Sequence, residues 1–462
     1  MDNAGNCNTT ADHMVIEVPT FRGRLARGRC FLHILQLVAK MIISFFFKQP
    51  RRKKAIKANK NSVKRTTSLS ADSLEPDETD EFVLCEADPS ADAEDLELAE
   101  VIHEPEDDAP PTAQDVHDGK VTSTIRQATI AEMCLDGVYI DPAEEKDALK
   151  LFPKVAGLAK KVHDSRVIHA EFQRIVADPG TGLPTDSNVT ELARRNATRW
   201  GSEYQCLQTR RIIGKAVDKL IQNPNLKLGG YAFNKRQGKL ALELETLLEV
   251  IDIPSQMFQS KNRPLITEVL PYMDDLDYML NNITEAHDLC DTTRVAACAG
   301  LRVLRKYFAL LDECEAYRIA IVMCPDRKLQ WFRGRKWDDA QIADLRSLVV
   351  RRFNESYKTV GPTASNPSMS IPPTSTAESL SGRFSRRPGV SNNSTTSEAD
   401  NIHTYLDSPL SMPSGTVIQY WNERLTPPPG STVIATPDLA RFGLSFCSCP
   451  GKLSFQACLH IC

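Results

Sequence analysis

The sequence has none of the short motifs that mark the common catalytic folds. It lacks a glycine-rich phosphate loop of the P-loop or dinucleotide type, a His-Glu-x-x-His zinc helix and a Gly-x-Ser-x-Gly nucleophile elbow. These absences exclude the usual nucleotide-hydrolysing, dinucleotide-dependent, zinc-protease and α/β-hydrolase classes. No internal repeat of about 20–50 residues recurs, so a solenoid is not expected.

The chain also lacks an excess of charge of one sign. Its 56 Lys and Arg residues face 60 Asp and Glu residues, and the net charge of −4 excludes a uniformly basic nucleic-acid binder. No secretory signal is expected, because acidic residues precede the first hydrophobic stretch and no small-residue cleavage site follows it. The thirteen cysteines have no regular spacing, which predicts free thiols in a reducing compartment.

Two long segments have too little hydrophobic patterning to fold alone. Residues 51–65 hold eight Lys or Arg, whereas residues 72–118 hold nineteen Asp or Glu and no Lys or Arg. The composition predicts a basic and then acidic disordered linker at 51–145, and a Ser/Pro-rich linker at 358–400. The basic block fits either a nuclear-import signal or phosphate-contacting arm, or a simple solvated linker.

Residues 30–47 form the longest hydrophobic stretch, CFLHILQLVAKMIISFFF. Its polar residues are His33, Gln36, Lys40 and Ser44, and their spacing places all four on one face of a helix. This pattern favours a helix packed in a protein core. A membrane anchor is the alternative, because the length is close to the roughly 20 residues that a bilayer requires and basic residues flank the stretch.

Most of residues 146–357 shows the apolar period of an α-helix. We expect a helix beginning near Lys146, one capped by Asp186 or Ser187 that runs through Leu192–Trp200 toward Ile221, and four further helices, at 240–251, 264–283, 292–311 and 337–353. Tyr317–Pro325 fits a short strand or a buried helix end, because a β-branched run ends at a proline. Residues 401–446 resume a globular composition.

Six segments carry motifs whose order is informative. They are MDNAGNCNTTADHM at 1–14, RCFLHILQLVAK at 29–40, LFPKVAGLAKKVHDS at 151–165, ATRWGSEYQCL at 197–207, AYRIAIVMCPDRKLQWF at 316–332, and NIHTYLDSPL through VIQYW and LARFGLSFCSCP between 401 and 450. Each alone fits ordinary packing or surface roles. Together, the six resemble, in the same order, the motifs of the hAT superfamily of cut-and-paste DNA transposases, with Gly201 and Glu203 in place of the usual Asn and Thr.

The resemblance implies a role for each motif. Asp2 is the second of three catalytic carboxylates that bind Mg²⁺ or Mn²⁺. Cys30 and His33 lie on a helix beside the RNase H-like core. Arg199 contacts the DNA backbone, and Trp200 stacks on a flipped base at the transposon end.

The other two catalytic carboxylates of the family have no counterpart in the sequence. The third is expected near Ala457, in a tail of residues 447–462 that has no Asp or Glu. The resemblance therefore implies a degenerate transposase, a remnant of a transposable element, that binds DNA and self-associates in the nucleus without cleaving. The alternative is a non-catalytic DNA-binding or dimerisation protein derived from a transposase. The cysteines and histidine of the tail offer a weaker zinc-binding hypothesis.

The expected fold class is mainly α with a small α/β part. No membrane partner is expected. The expected organisation has five parts: an RNase H-like core fragment at 1–50, the linker at 51–145, a helical insertion domain at 146–357, the linker at 358–400, and a partial hAT dimerisation region with a divergent tail at 401–462.

Overall fold

The computed structural model of the chain describes residues 6–18, 21–47, 113–184, 188–196, 200–259, 265–357, 400–413 and 415–447. These residues are mainly helical and contain no strand. The α-helices, numbered in chain order, are α1 (Asn6–Glu17), α2 (Phe31–Ile43), α3 (Ala113–Leu135), α4 (Pro142–Leu149), α5 (Leu151–Asp164), α6 (Arg166–Ala177), α7 (Gly201–Ile212), α8 (Gly214–Gln222), α9 (Lys235–Phe258), α10 (Ile266–Glu285), α11 (Asp291–Asp312), α12 (Glu315–Val322), α13 (Lys328–Arg333), α14 (Asp339–Ser356), α15 (Ile402–Asp407), α16 (Val417–Leu425) and α17 (Pro437–Cys447).

The contacts divide the chain into two compact units. The first unit comprises residues 1–35, 253–278 and 304–462, and the second comprises residues 36–252 and 279–303. The prediction of a mainly α protein is confirmed. In the expected RNase H-like fragment the described residues form α1, a 3-10 turn at Gly23–Ala26 and α2, so the RNase H-like assignment stays a prediction.

Helix α2 has the amphipathic pattern that its sequence predicts. His33, Gln36, Lys40 and Ser44 are half-buried or exposed, whereas nearly all of the apolar side chains between them are buried. Among the described residues, no helix combines the length and apolar character needed to cross a membrane.

Helices also form where the sequence favoured other structures. Glu315–Val322 is the helix α12, so the buried-helix alternative for the run beginning at Tyr317 is correct. Its Ile319, Ile321 and Val322 are fully buried, and tertiary packing of this kind overrides β propensity. Helix α3 lies in the last part of the expected linker at 51–145, where Thr129 and Met133 are buried.

The helix predicted through Leu192–Trp200 is wrong. Residues 188–196 are not helical, and the next helix begins at Gly201. Side chains of α7 satisfy the backbone of this segment: the Ala193 N–H donates to Thr209 Oγ1 at 3.0 Å, and the Asn196 N–H donates to Ser202 Oγ at 2.8 Å. These bonds to side chains of the following helix replace helical hydrogen bonds, which is why local periodicity misplaced the start of the helix.

Candidate nucleic-acid interface

The motif at 197–207 begins α7, which packs on a helical core in the second unit. Helices α5, α6 and α8 bury one apolar cluster, made up of Leu158, Ala159, Val162, Phe172, Ile175, Leu192, Ile213, Ala216, Val217, Leu220, Ile221, Leu228 and Tyr231. The Leu192 carbonyl lies 2.7 Å from Nε2 of the His163 ring, and the buried Cys206 thiol donates to the Ala193 carbonyl at 3.1 Å. The start of α7 is therefore held by the segment that precedes it.

A buried ion pair lies directly beside the start of α7. Arg195 Nε donates to Glu203 Oε1 at 3.1 Å, and both side chains are 7% exposed. The Ser202 hydroxyl lies 3.2 Å from the other Glu203 oxygen, and the Arg195 guanidinium lies 5.1 Å from the Phe47 ring centroid. Burial raises the pKa of Glu203 to about 7, although Arg195 acts to lower it.

Trp200 occupies the N-cap position of α7 and is half-buried. Its carbonyl accepts the Glu203 N–H at 3.0 Å, so the backbone of Trp200 is fixed to the residue that forms the buried ion pair. Arg199, the other residue predicted to contact DNA, lies outside the described residues. Trp200 therefore keeps part of its surface accessible at a helix start whose backbone is hydrogen-bonded.

The helical region that carries Trp200 is basic, in contrast to the chain as a whole. Residues 150–227 contain fourteen Lys or Arg and seven Asp or Glu. The exposed cations among them that the structure describes are Arg166, Arg174, Arg194, Arg211, Lys215, Lys219 and Lys227. Such a concentration of exposed cations suits the phosphate backbone of a nucleic acid.

The side of α7 that faces α9 has the opposite charge. Burial and three carboxylates of α9, first Glu249 and then Asp252 and Glu245, raise the pKa of the Tyr204 phenol. Arg211 forms an ion pair with Glu245, in which Arg211 Nε donates to both carboxylate oxygens, at 2.8 and 2.9 Å. A nucleic acid would therefore meet α7 on the side away from α9.

Cys30 and His33 belong to the first unit, unlike Trp200, and both are half-buried. The residue before Cys30 is tied to α12: the Arg29 N–H donates to the Tyr317 hydroxyl at 2.9 Å, and that hydroxyl donates to the Arg29 carbonyl at 2.8 Å. The structure thus brings together the motif at 29–40 and the motif at 316–332.

The same motif at 316–332 also meets the C-terminal segments. Tyr405 donates to the Val322 carbonyl at 3.0 Å, and the Trp421 indole N–H donates to the Met323 carbonyl at 2.9 Å. Trp421 is fully buried, and its ring centroid lies 5.3 Å from that of Tyr405. Residues from 401–447 are therefore part of the core of the first unit.

Lys328 is the buried cation that fixes this contact. Its Nζ donates to the carbonyls of Tyr405, Ser408 and Pro409 at 2.8, 3.0 and 3.2 Å and lies 4.4 Å from the Tyr405 ring centroid. Burial lowers the pKa of Lys328 to about 8. The side chain satisfies carbonyls at the end of α15, a structural role that accounts for its burial.

No metal centre is built by the described residues. Asp2, assigned to Mg²⁺ or Mn²⁺ by resemblance, lies outside them, as does the tail beyond Cys447. Across the described ranges, no group of three His, Cys, Asp or Glu side chains is placed to hold a metal ion.

Sequence reasoning missed the Arg195–Glu203 pair and the role of Lys328. One indication of the ion pair was present in the sequence: Glu203 stands in the motif at 197–207 where the resembled family usually has Thr. Lys328 stood in the quoted motif but had no assigned partner. No protein-family model matches the chain, and a search of curated proteins gives no match.

Proposed function

We propose that this protein is a hAT-type transposase derivative that binds DNA through the helical region around Trp200 and self-associates. The proposal concerns binding rather than cleavage. An RNase H-like core at residues 1–50 and action in the nucleus belong to the same proposal. The observation that carries it is the position of a half-buried tryptophan at a rigid helix start within a strongly basic helical region.

The chemistry of this region suits a nucleic acid in two ways. Exposed Lys and Arg side chains supply a sequence-independent attraction to phosphates. An accessible indole supplies stacking on an unpaired base, worth about 1–3 kcal/mol per base. The buried Arg195–Glu203 pair supports the second role, since it ties Arg195 to the first turn of the helix that Trp200 caps.

Self-association is proposed for the region 401–447, with a refinement from the structure. The apolar residues Trp421, Leu439, Phe442 and Phe446 are buried within the chain, so they are not free to contact a second copy. The exposed apolar residues of this region are Leu410, Met412 and Ile434. We therefore propose these three residues as part of the self-association surface.

The DNA-binding proposal is tested by replacing the tryptophan. We expect Trp200→Ala to weaken binding of the full chain to a hairpin or nicked duplex with an unpaired base by about 10–100-fold, as loss of base stacking implies. Binding to a fully paired duplex should change much less. The measurement is a fluorescence-anisotropy titration of labelled DNA at low salt.

Trp331→Ala is the matched control, because Trp331 is also half-buried and lies in the first unit, where its ring is 3.6 Å from the Arg335 guanidinium. This variant should bind both DNAs as the wild type does. Equal losses in the two variants, or no binding by the wild type, would contradict the proposal.

A further inference from the structure

A shallow groove of about 620 Å³ lies on the second unit between α6 and the 3-10 turn at Pro224–Leu226. Its floor is mainly apolar and includes Val167, Ala170 and Leu226. Val167 is 71% exposed. The groove thus offers an apolar strip on an otherwise charged surface.

Cations flank this strip. Arg166 and Arg174 line the groove, and both are exposed. Arg174 is held by Glu171 through two hydrogen bonds of 2.8 Å, whereas Arg166 has no ion pair with any described residue. Lys227 follows Leu226 directly and is also exposed. Glu171 also lines the groove and offsets the charge of Arg174, so Arg166 and the adjacent Lys227 supply the remaining positive charge. The groove therefore combines apolar contact with two cations, which fits a segment that is both apolar and acidic.

The chain itself contains such a segment. Residues 72–112, here called the acidic segment, hold seventeen Asp or Glu and no Lys or Arg. They also contain an apolar run, Phe82-Val83-Leu84, that directly follows the acidic sequence DETDE. No other part of the sequence joins apolar residues to so dense a block of negative charge.

The connections of the acidic segment allow it to reach the groove. Described structure stops at Phe47 and resumes at Ala113, and both residues belong to the second unit, as the groove does. Phe82 is about thirty residues from each of these points, a length that can span roughly 100 Å when extended. Because both ends are attached to the unit that carries the groove, the local concentration of the segment is high.

We propose that the acidic segment docks in this groove of its own chain, with Phe82-Val83-Leu84 on the strip formed by Val167, Ala170 and Leu226 and with its carboxylates facing Arg166 and Lys227. This docking does not depend on DNA binding. If the basic region also binds DNA, the acidic segment competes with phosphates for the same cations.

The test is site-specific photocrosslinking in the full chain. A benzophenone amino acid replaces Phe82, the protein is irradiated without DNA, and the linked peptides are identified by mass spectrometry. We expect links to peptides that contain residues 166–174 and 223–227. Mixing isotope-labelled with unlabelled protein separates links within one chain from links between two copies.

Arg166→Glu should lower the yield of these links by about fivefold, the effect of reversing one exposed contact charge. Glu is well tolerated at this position, because Arg166 is the first residue of α6 and a helix N-terminus favours negative charge. Lys235→Glu is the matched control, since Lys235 is an exposed cation at the first residue of α9. It should leave the yield unchanged.

Three results would overturn the proposal. They are links that map only outside the groove, links that join labelled to unlabelled chains, and equal losses of yield in the Arg166→Glu and Lys235→Glu variants. Each result can be obtained and interpreted whether or not the protein binds DNA, because the crosslinking is done without DNA. Failure of this inference is therefore separate from failure of the proposed function.

Discussion

The buried pair of Arg195 and Glu203 is the most consequential residue-scale feature of the candidate interface. A buried ion pair commonly contributes little net stability, because desolvation offsets the attraction between the charges. Here it closes a contact between the non-helical segment 192–196 and the first turn of α7, next to Trp200. The pair therefore contributes mainly by holding the helix start that carries Trp200 in place.

Glu203 should make the stability of the protein depend on pH. Its pKa is raised from 4.5 to about 7 in the folded protein, so the folded state binds more protons than the unfolded state between these values. The contribution of Glu203 is therefore fully present below pH 4.5 and is lost as the pH rises to about 7, an effect on the order of 3 kcal/mol. Urea unfolding at pH 4.5 and pH 7.5 should show this loss in the wild type and not in Glu203→Gln.

Arg195→Met provides the second arm of that experiment. Arg195 lowers the pKa of Glu203, so removing it should extend the loss of stability, which still begins near pH 4.5, to higher pH. A Glu203→Gln variant with the pH profile of the wild type would contradict the assignment.

Among the elements, α16 and α17 pack tightly against each other. A Cβ atom on Gly443 would overlap the ring of Trp421, which is fully buried between these helices and the Met323 carbonyl. Glycine is therefore required at this position because of the close approach of an aromatic ring, and its helical backbone gives no other reason.

Gly443→Ala should lower the free energy of unfolding by about 1–3 kcal/mol, the cost of overpacking a core. Gly238→Ala is the opposite case, since a Cβ atom there meets nothing within 4 Å on the exposed side of α9. It should raise the free energy of unfolding by about 0.5–1 kcal/mol through helix propensity. Chemical denaturation measures both, and a neutral Gly443→Ala would show that α16 and α17 are not packed as described.

The helices were largely predictable from sequence, and the candidate site was only partly so. The helical spacing of apolar residues was enough to predict α9, α11 and α14, because each of these helices buries one apolar face. It failed at Leu192–Asn196, where Thr209 and Ser202 from the following helix satisfy the backbone. The Arg195–Glu203 pair forms because the same non-helical segment packs against the first turn of α7. A hydrophobic period, which assumes one continuous helix, could not predict that contact.

At the scale of the whole molecule, the two units carry different parts of the proposed function. The second unit holds the basic region and Trp200, and the first holds the core formed by α12, α13 and the C-terminal helices. The first unit also exposes Met412 and Ile434, at 84% and 63% of their surface. The proposed DNA binding and the proposed self-association can therefore be tested by separate variants.

Self-association should be lost in a Met412→Ser, Ile434→Ser double variant, since exposed apolar residues supply much of the free energy of an interface. Leu135→Ser is the control, because Leu135 is 88% exposed but lies in the second unit. Light scattering after size exclusion should give a dimer mass for the wild type and the control and a monomer mass for the double variant. A monomeric wild type would contradict self-association.

We propose that the basic helical region binds DNA, and such binding should weaken as the salt concentration rises. The logarithm of the association constant, measured between about 50 and 200 mM salt, should fall linearly with the logarithm of salt concentration, with a slope of roughly −0.9 for each phosphate contacted. With seven exposed cations described in the region, some of them paired with carboxylates, we predict a slope of about −3 to −6. A slope near zero, or no binding at the lowest salt concentration, would show that the basic region does not bind DNA in this way.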